Sequence, residues 1–177
     1  MPAARLSAAS ASCRCGKVEF QIVGAPIFRA ICYCTSCQEA GRRHQAVPGA
    51  DPVLADDGGT DYVLYRKDRV RCVKGGDLLE ERRLKPDSAT RRLFARCCNT
   101  AMFADFTKGH WLSLYRGRLA GDLPPPAMRM MTAQRPAGVT LPDDIASYPG
   151  HSGKFMGKLL LASVAMGFRR PAVDGVP

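Results

Sequence analysis

The sequence predicts a mainly β protein that ends in one helix. Two observations carry this. Between about residues 16 and 116, short segments alternate polar and apolar residues and are bounded by Gly, Pro, Asp or Asn. Beyond residue 116 the alternation stops, giving way to a Pro-rich stretch and then one long apolar run, Lys154 to Phe168.

The elements follow in order. Met1 to Ser12 is rich in Ala and Ser, lacks an apolar stretch of signal-peptide type, and reads as a flexible extension. Lys17-Val18-Glu19-Phe20-Gln21-Ile22-Val23 alternates and reads as a half-buried strand, ended by Gly24-Ala25-Pro26. Ile27 to Tyr33 is a second strand leading into cysteines. Tyr62-Val63-Leu64-Tyr65 follows the turn signal Asp57-Gly58-Gly59-Thr60, and Arg69 to Val73 alternates up to Lys74-Gly75-Gly76-Asp77. Leu79 to Leu84, Thr90 to Ala95, Ala101 to Phe106 and Trp111 to Tyr115 complete the strands. Pro124-Pro125-Pro126 marks an extended arm. Ser152 is a candidate N-cap for the helix, which is apolar nearly all round and so packs on the sheets or on a partner copy. Three regions result: residues 1–12, a β-rich unit at 13–116, and an arm with a helix at 117–177.

Composition narrows the function. With 46% hydrophobic and 24% charged residues, the chain is foldable rather than disordered. No run of 18 apolar residues exists, so an ordinary membrane-spanning helix is excluded. The formal net charge is +10. Two thiolate-bound zinc ions would leave it near +7, still basic. Such a balance suits anionic small molecules or nucleic acid. Without an export signal, the expected location is the cytoplasm, where 8 cysteines read as thiols or metal ligands rather than disulfides.

The cysteines fall into four groups: Cys13-x-Cys15, Cys32-x-Cys34-x-x-Cys37, Cys72, and Cys97-Cys98. Three thiolates packed into six residues repel one another unless a cation neutralises them. Zinc does so, whereas a redox pair at Cys34 and Cys37 leaves Cys32 unexplained. Three protein ligands leave one position for water or an incoming thiol, as in catalytic zinc sites. A fourth cysteine would instead make a closed structural site. Cys13 and Cys15 form half a site that Cys97 or Cys98 can complete. Neighbours in a strand face opposite ways, so both can join only from a turn, which Asn99-Thr100 favours. Cys72 reads as a plain buried thiol. His44 is a candidate fourth ligand or proton shuttle, His110 a packing residue beside Trp111, and His151 a helix-start residue. The arginine clusters Arg42-Arg43, Arg66 to Lys74, Arg82 to Lys85 and Arg91, Arg92, Arg96 are solvated sheet edges, an anion site or a nucleic-acid surface.

Three motifs together are specific. Cys13-Arg14-Cys15-Gly16-Lys17-Val18, Cys32-Tyr33-Cys34-Thr35-Ser36-Cys37 with Gly41, and Phe94-Ala95-Arg96-Cys97-Cys98-Asn99-Thr100 resemble the glutathione-dependent formaldehyde-activating enzyme (Gfa) family, which shares its domain with centromere protein V. The resemblance implies a β-tent of small antiparallel sheets around one or two zinc ions. It implies a structural zinc on Cys13, Cys15 and Cys98, and a catalytic zinc on Cys32, Cys34 and Cys37. It also implies a carbon–sulfur lyase activity on a glutathione-type thiol and an aldehyde; Arg42 and Arg43, just after the cysteine cluster, are candidates by position to hold such a thiol's carboxylates. The alternative is a non-catalytic zinc module that binds nucleic acid or a protein. Departures mark a divergent branch. Ala95 stands where the family has its first late cysteine, Cys97 is an extra thiol, Asn99 replaces Gly, Tyr33 replaces His, and Gln38 replaces Arg.

Overall fold

The computed structural model describes residues 8–176. Ten strands form two sheets. The small sheet joins β1 (Ala8–Ser12), β2 (Glu19–Val23) and β5 (Val70–Lys74) in the order β1-β2-β5. The large sheet takes β3 (Phe28–Cys32), β4 (Thr60–Arg66), β6 (Leu79–Arg82), β7 (Thr90–Ala95), β8 (Thr100–Phe106), β9 (Trp111–Tyr115) and β10 (Met128–Met130). Its order is β10-β3-β4-β9-β8-β7-β6. Every pairing is antiparallel except that of β10 with β3. Two helices accompany them, α1 (Thr35–Gln45) and α2 (Gly153–Ala165).

Period-2 alternation explains how the large sheet is covered on both faces. On β4, Val63 and Tyr65 enter one core while Tyr62 and Leu64 enter the other. On β7, Leu93 and Ala95 face the small sheet, and Phe94 faces the opposite side. The first core lies between the sheets, where Phe20 meets Phe103 edge-on with ring centroids 5.4 Å apart. Truncating either ring to Ala would cost about 3–5 kcal/mol. The second core lies under α2, where Phe28 meets Phe155 at 5.2 Å. Asp105 sits nearly buried between Lys67 and Arg91, each 2.8 Å away, so the charges compensate one another.

Three features differ from the sequence expectation. Ala8–Ser12, taken as part of a flexible extension, pairs along its length with β2 as strand β1; Met1 to Ser7 lie outside the described residues. The arm is not merely appended, because Met128–Met130 adds β10 to the large sheet beside β3. The third difference is α1, which was not foreseen. Its buried positions are Gln38, Ala40, Gly41 and His44, so it shows no apolar stripe to read. Gly41 is there for space: a Cβ would stand 2.5 Å from Leu54 Cγ. The C-terminal helix is close to expectation. Ser152 caps it by accepting from Phe155 N–H at 3.0 Å. Phe155 and Leu159 are buried on the sheet, while Leu160, Leu161 and Val164 stay exposed. Among the described residues, no helix is long and apolar enough to cross a membrane.

Candidate metal centres and the cavity beside them

The fold gathers seven of the cysteines into two groups. Cys13 and Cys15 lie just after β1, and Cys97 and Cys98 lie in the turn between β7 and β8. Asn99 ends that turn with φ of 51°, a left-handed conformation that Asn tolerates better than most residues, which is why it can stand in for Gly. The turn lets both neighbours face the same way. Cys15 Sγ is 3.4 Å from Cys97 Sγ. Cys13 Sγ is 3.6 Å from Cys15 Sγ and 3.8 Å from Cys97 Sγ. Cys97 and Cys98 are 3.8 Å apart, and all four sulfurs lie within 4.8 Å of one another. Tetrahedral zinc with bonds of about 2.3 Å would set sulfurs about 3.8 Å apart, so the group fits such an ion. Ala95 is fully buried in the first core at the end of β7, and Cys97 presents the sulfur that Ala95 lacks.

This group is also prepared electrostatically. Burial opposes ionisation of Cys98, but hydrogen bonds from the Thr100 hydroxyl, the Cys15 backbone and the Cys15 and Cys13 thiols outweigh it. They hold Cys98 down to about 6. Cys97 is pushed up to about 12 by burial and by its contacts with the Cys15, Cys13 and Cys98 thiols. Val18 N–H donates to Cys13 Sγ at 3.2 Å.

The second group is Cys32, Cys34 and Cys37, whose sulfurs also lie within 4.8 Å of one another. Cys32 ends β3, Cys34 is the N-cap of α1, and Cys37 sits in its first turn. Cys34 Sγ accepts from Cys37 N–H at 3.3 Å, so a helix N-terminus faces this sulfur. Hydrogen bonds from Cys32 and Cys37, the Cys37 backbone and the Arg92 charge hold Cys34 down to about 3 against burial. Cys32 is raised, chiefly because it donates to Cys34 and Cys37. Without a cation, one sulfur of the three ionises easily and the others keep their protons. Among the described residues, no fourth Cys, His, Asp or Glu joins this group.

Arg92 on β7 borders the group and was not singled out by the sequence. It is 3% exposed and has no carboxylate partner among the described residues. Nη2 donates to Ser36 O at 3.2 Å and to Ser36 Oγ at 3.1 Å, while Nε and Nη1 meet no acceptor. Burial opposes its charge, but Tyr62, Tyr115 and Cys37 more than offset this, and its pKa is raised. Tyr62 donates its hydroxyl toward Cys37 Sγ at 3.8 Å. Both signals were hard to see: Arg92 is one arginine among many, and Tyr62 looks like an ordinary strand aromatic.

The other candidates are placed elsewhere. Arg42 and Arg43 lie on the outer side of α1, ion-paired to Glu39 at 3.0 and 2.7 Å, and neither lines the cavity beside the cysteines. His44 is not with the sulfurs. It is buried against Phe94 with ring centroids 4.9 Å apart, and its basicity is lowered, first by burial. His110 packs edge-on against Trp111 at 5.1 Å, as expected of a packing residue. Cys72 is half-buried and donates to Lys74 O at 3.4 Å. Tyr33 donates to Asp57 at 2.6 Å, and the Gln38 side chain donates to Tyr33 O at 2.6 Å, so both tie the cysteine loop to its surroundings.

A cavity of about 410 Å³ opens beside Cys32, Cys34 and Cys37, walled by β3, β4, β8 and β9 and roofed by α2.

A β protein with two thiol groups able to hold metal, one of them beside a cavity, defines the class. Comparison adds a likeness over part of the chain. Residues 8–50, which carry Cys13, Cys15 and the Cys32–Cys37 motif, match the family described as "Glutathione-dependent formaldehyde-activating enzyme". The match stops short of Cys97-Cys98, whose place beside Cys13 and Cys15 is a finding of the structure alone. A crystal structure of a Rhodobacter sphaeroides protein is similar at 18% identity, covering 65% of this chain and 91% of that one, with a TM-score of 0.46. No curated protein matches the sequence closely enough to count as a relative.

Proposed function

We propose that the protein is a zinc-dependent enzyme of carbon–sulfur lyase type, which makes or breaks the adduct of a thiol and an aldehyde at Cys32, Cys34 and Cys37. The observation that carries this is the three-sulfur group with no fourth protein ligand, set at the wall of a cavity. Zinc bound there would supply the positive charge that keeps three thiolates and an incoming thiol ionised.

The chain's own groups do the rest. Cys34 is already inclined to ionise, and the α1 N-terminus favours its negative charge. Arg92 is a fixed cation that offsets the excess negative charge of three thiolates around a doubly charged ion. In the adduct-forming direction, the sulfur of the thiol bonds to the carbonyl carbon, the π pair moves to oxygen, and that oxygen takes a proton. The reverse step returns thiol and aldehyde, and no electrons leave the pair. The family description supports glutathione as the thiol. The four-sulfur group would serve as a structural zinc site that ties β1 to the β7–β8 turn.

The competing nucleic-acid surface has less support. Several arginines of its clusters are ion-paired: Arg82 with Glu80, Arg83 with Glu81, and Arg91 with Glu81 and Asp105.

The test is metal content, followed by addition of glutathione to cobalt-loaded protein. Stoichiometric metal and a new sulfur-to-cobalt band support the reading. Metal-free protein with freely titrating native thiols would overturn it.

A further inference from the structure

The cavity beside the three cysteines is far larger than formaldehyde needs. Its volume of about 410 Å³ falls in the range that encloses whole organic molecules. Formaldehyde brings one carbon and one oxygen, and would leave the remaining space to water against apolar walls. Those walls are Leu64, Met130, Trp111, Phe106, Phe155 and Leu159. Arg92 is the one lining residue of the Lys, Arg, Asp and Glu types, and it sits at the cysteine end, bonded to Ser36. The cavity's other polar side chains are Ser36, Tyr62, Thr90, Ser113 and His151, so most of its wall is a good solvent for hydrocarbon.

The roof is built for the purpose from the later part of the chain. Phe155, Met156 and Leu159 come from α2, well beyond the segment that matches the family. Phe155 is fixed by Phe28 on one side and by the stacked His151 ring, 5.1 Å away, on the other.

We infer that the carbonyl partner is an aldehyde with an apolar substituent, on the order of six to ten carbons or an aromatic ring. The substituent fills this cavity while its carbonyl carbon meets the thiol at Cys32, Cys34 and Cys37. The inference rests on the adduct reading above and names the substrate class for that same site.

Trp111 is the one tryptophan of the chain and lines the cavity, so its fluorescence reports occupancy whether or not metal is bound. Zinc-loaded full-length protein is titrated with S-hexylglutathione and S-methylglutathione, stable thioethers that differ only in the apolar group. S-hexylglutathione should change Trp111 emission with a Kd at least tenfold lower. Two variants follow. Ala104→Phe fills the cavity from β8. Met156→Asp sets a charge at its rim from a position already 55% exposed, where folding is not at stake. Both should lose the tenfold preference while S-methylglutathione still binds. Equal affinities in the parent protein, or an undiminished preference in the folded Met156→Asp variant, would overturn the inference. 1-Hexanol with metal-free protein separates the two proposals. A Trp111 response to hexanol when no thiol reaches the cysteines sinks the adduct reading and this inference with it. A thiol held on the cobalt-loaded group without chain-length preference sinks the inference alone.

Discussion

Cys13 Sγ lies 3.8 Å from Cys97 Sγ although 84 residues separate them in the chain. The contact joins the end of the small sheet to the far side of the large one. A metal there would act as a cross-link between elements otherwise joined by apolar packing and by the bonds of Arg14 to Thr100 Oγ1 and Cys98 O. In the unfolded chain the four sulfurs are scattered, so affinity for the metal becomes stability of the fold. Cys97→Ala and Cys98→Ala should each lower the melting temperature of the metal-loaded protein by roughly 10 °C, at 2–4 °C per kcal/mol for a chain of this size. Cys97 touches three sulfurs and Cys98 is anchored by Thr100, so the two losses should be comparable. Differential scanning calorimetry decides it. Negligible effects from both would mean that this group holds no structural metal.

Cys34→Ser should behave differently. Cys34 caps α1, and serine is itself a good N-cap, so the helix keeps its start. The melting temperature should fall by no more than a few degrees. Thiol binding, read as the sulfur-to-cobalt band, should vanish. An unfolded Cys34→Ser protein would make the three-sulfur group structural.

Loading metal should expel protons. Cys32 is raised and Cys37 is pushed up to about 11, so both are thiols at neutral pH before metal arrives. Cys34, held down to about 3, has no proton to lose there. Filling this group near pH 7.5 therefore releases two protons, one each from Cys32 and Cys37. Titration of Cys97→Ala protein with zinc in weak buffer, corrected for the remaining sulfurs by a Cys97→Ala, Cys34→Ser double variant, measures the number. Fewer than one proton would contradict the proposed ligand set.

Arg92 makes the acid side of this balance testable. Its charge is among the causes that lower the Cys34 pKa, so Arg92→Met should move that titration upward toward the ordinary thiol value. In metal-free protein, the pH at which Cys34 alkylation by iodoacetamide falls to half should then lie higher than in the parent chain. An unchanged midpoint, followed at Cys34 by peptide mass spectrometry, would remove Arg92 from the electrostatics of the group.

How much of this was legible in the residues depends on the kind of signal. The strands were readable because a half-buried strand must alternate, and Glu19–Val23 and Thr100–Phe106 lie within or beside the segments so marked. The three-sulfur group was readable because its members fall within six residues and their chemistry is narrow. The helix α1 was not, since its buried side is Gln38, Ala40, Gly41 and His44 rather than an apolar stripe.

The sequence by itself determined a mainly β chain with enough thiols for two metal groups. The cysteine spacing offered Cys97 or Cys98 as partners of Cys13 and Cys15, and the tertiary structure brings both sulfurs there. Cys97 joins Cys13 and Cys15 because the turn at Arg96–Asn99 points two consecutive sulfurs the same way, a backbone property that residue types only permit. Folding likewise turned Arg92, unremarkable among 26 basic residues, into a buried cation beside Cys37. It also turned a C-terminal helix into the roof of an apolar cavity. Contacts between residues far apart in the chain follow from how the sheets are covered, and no local pattern encodes them.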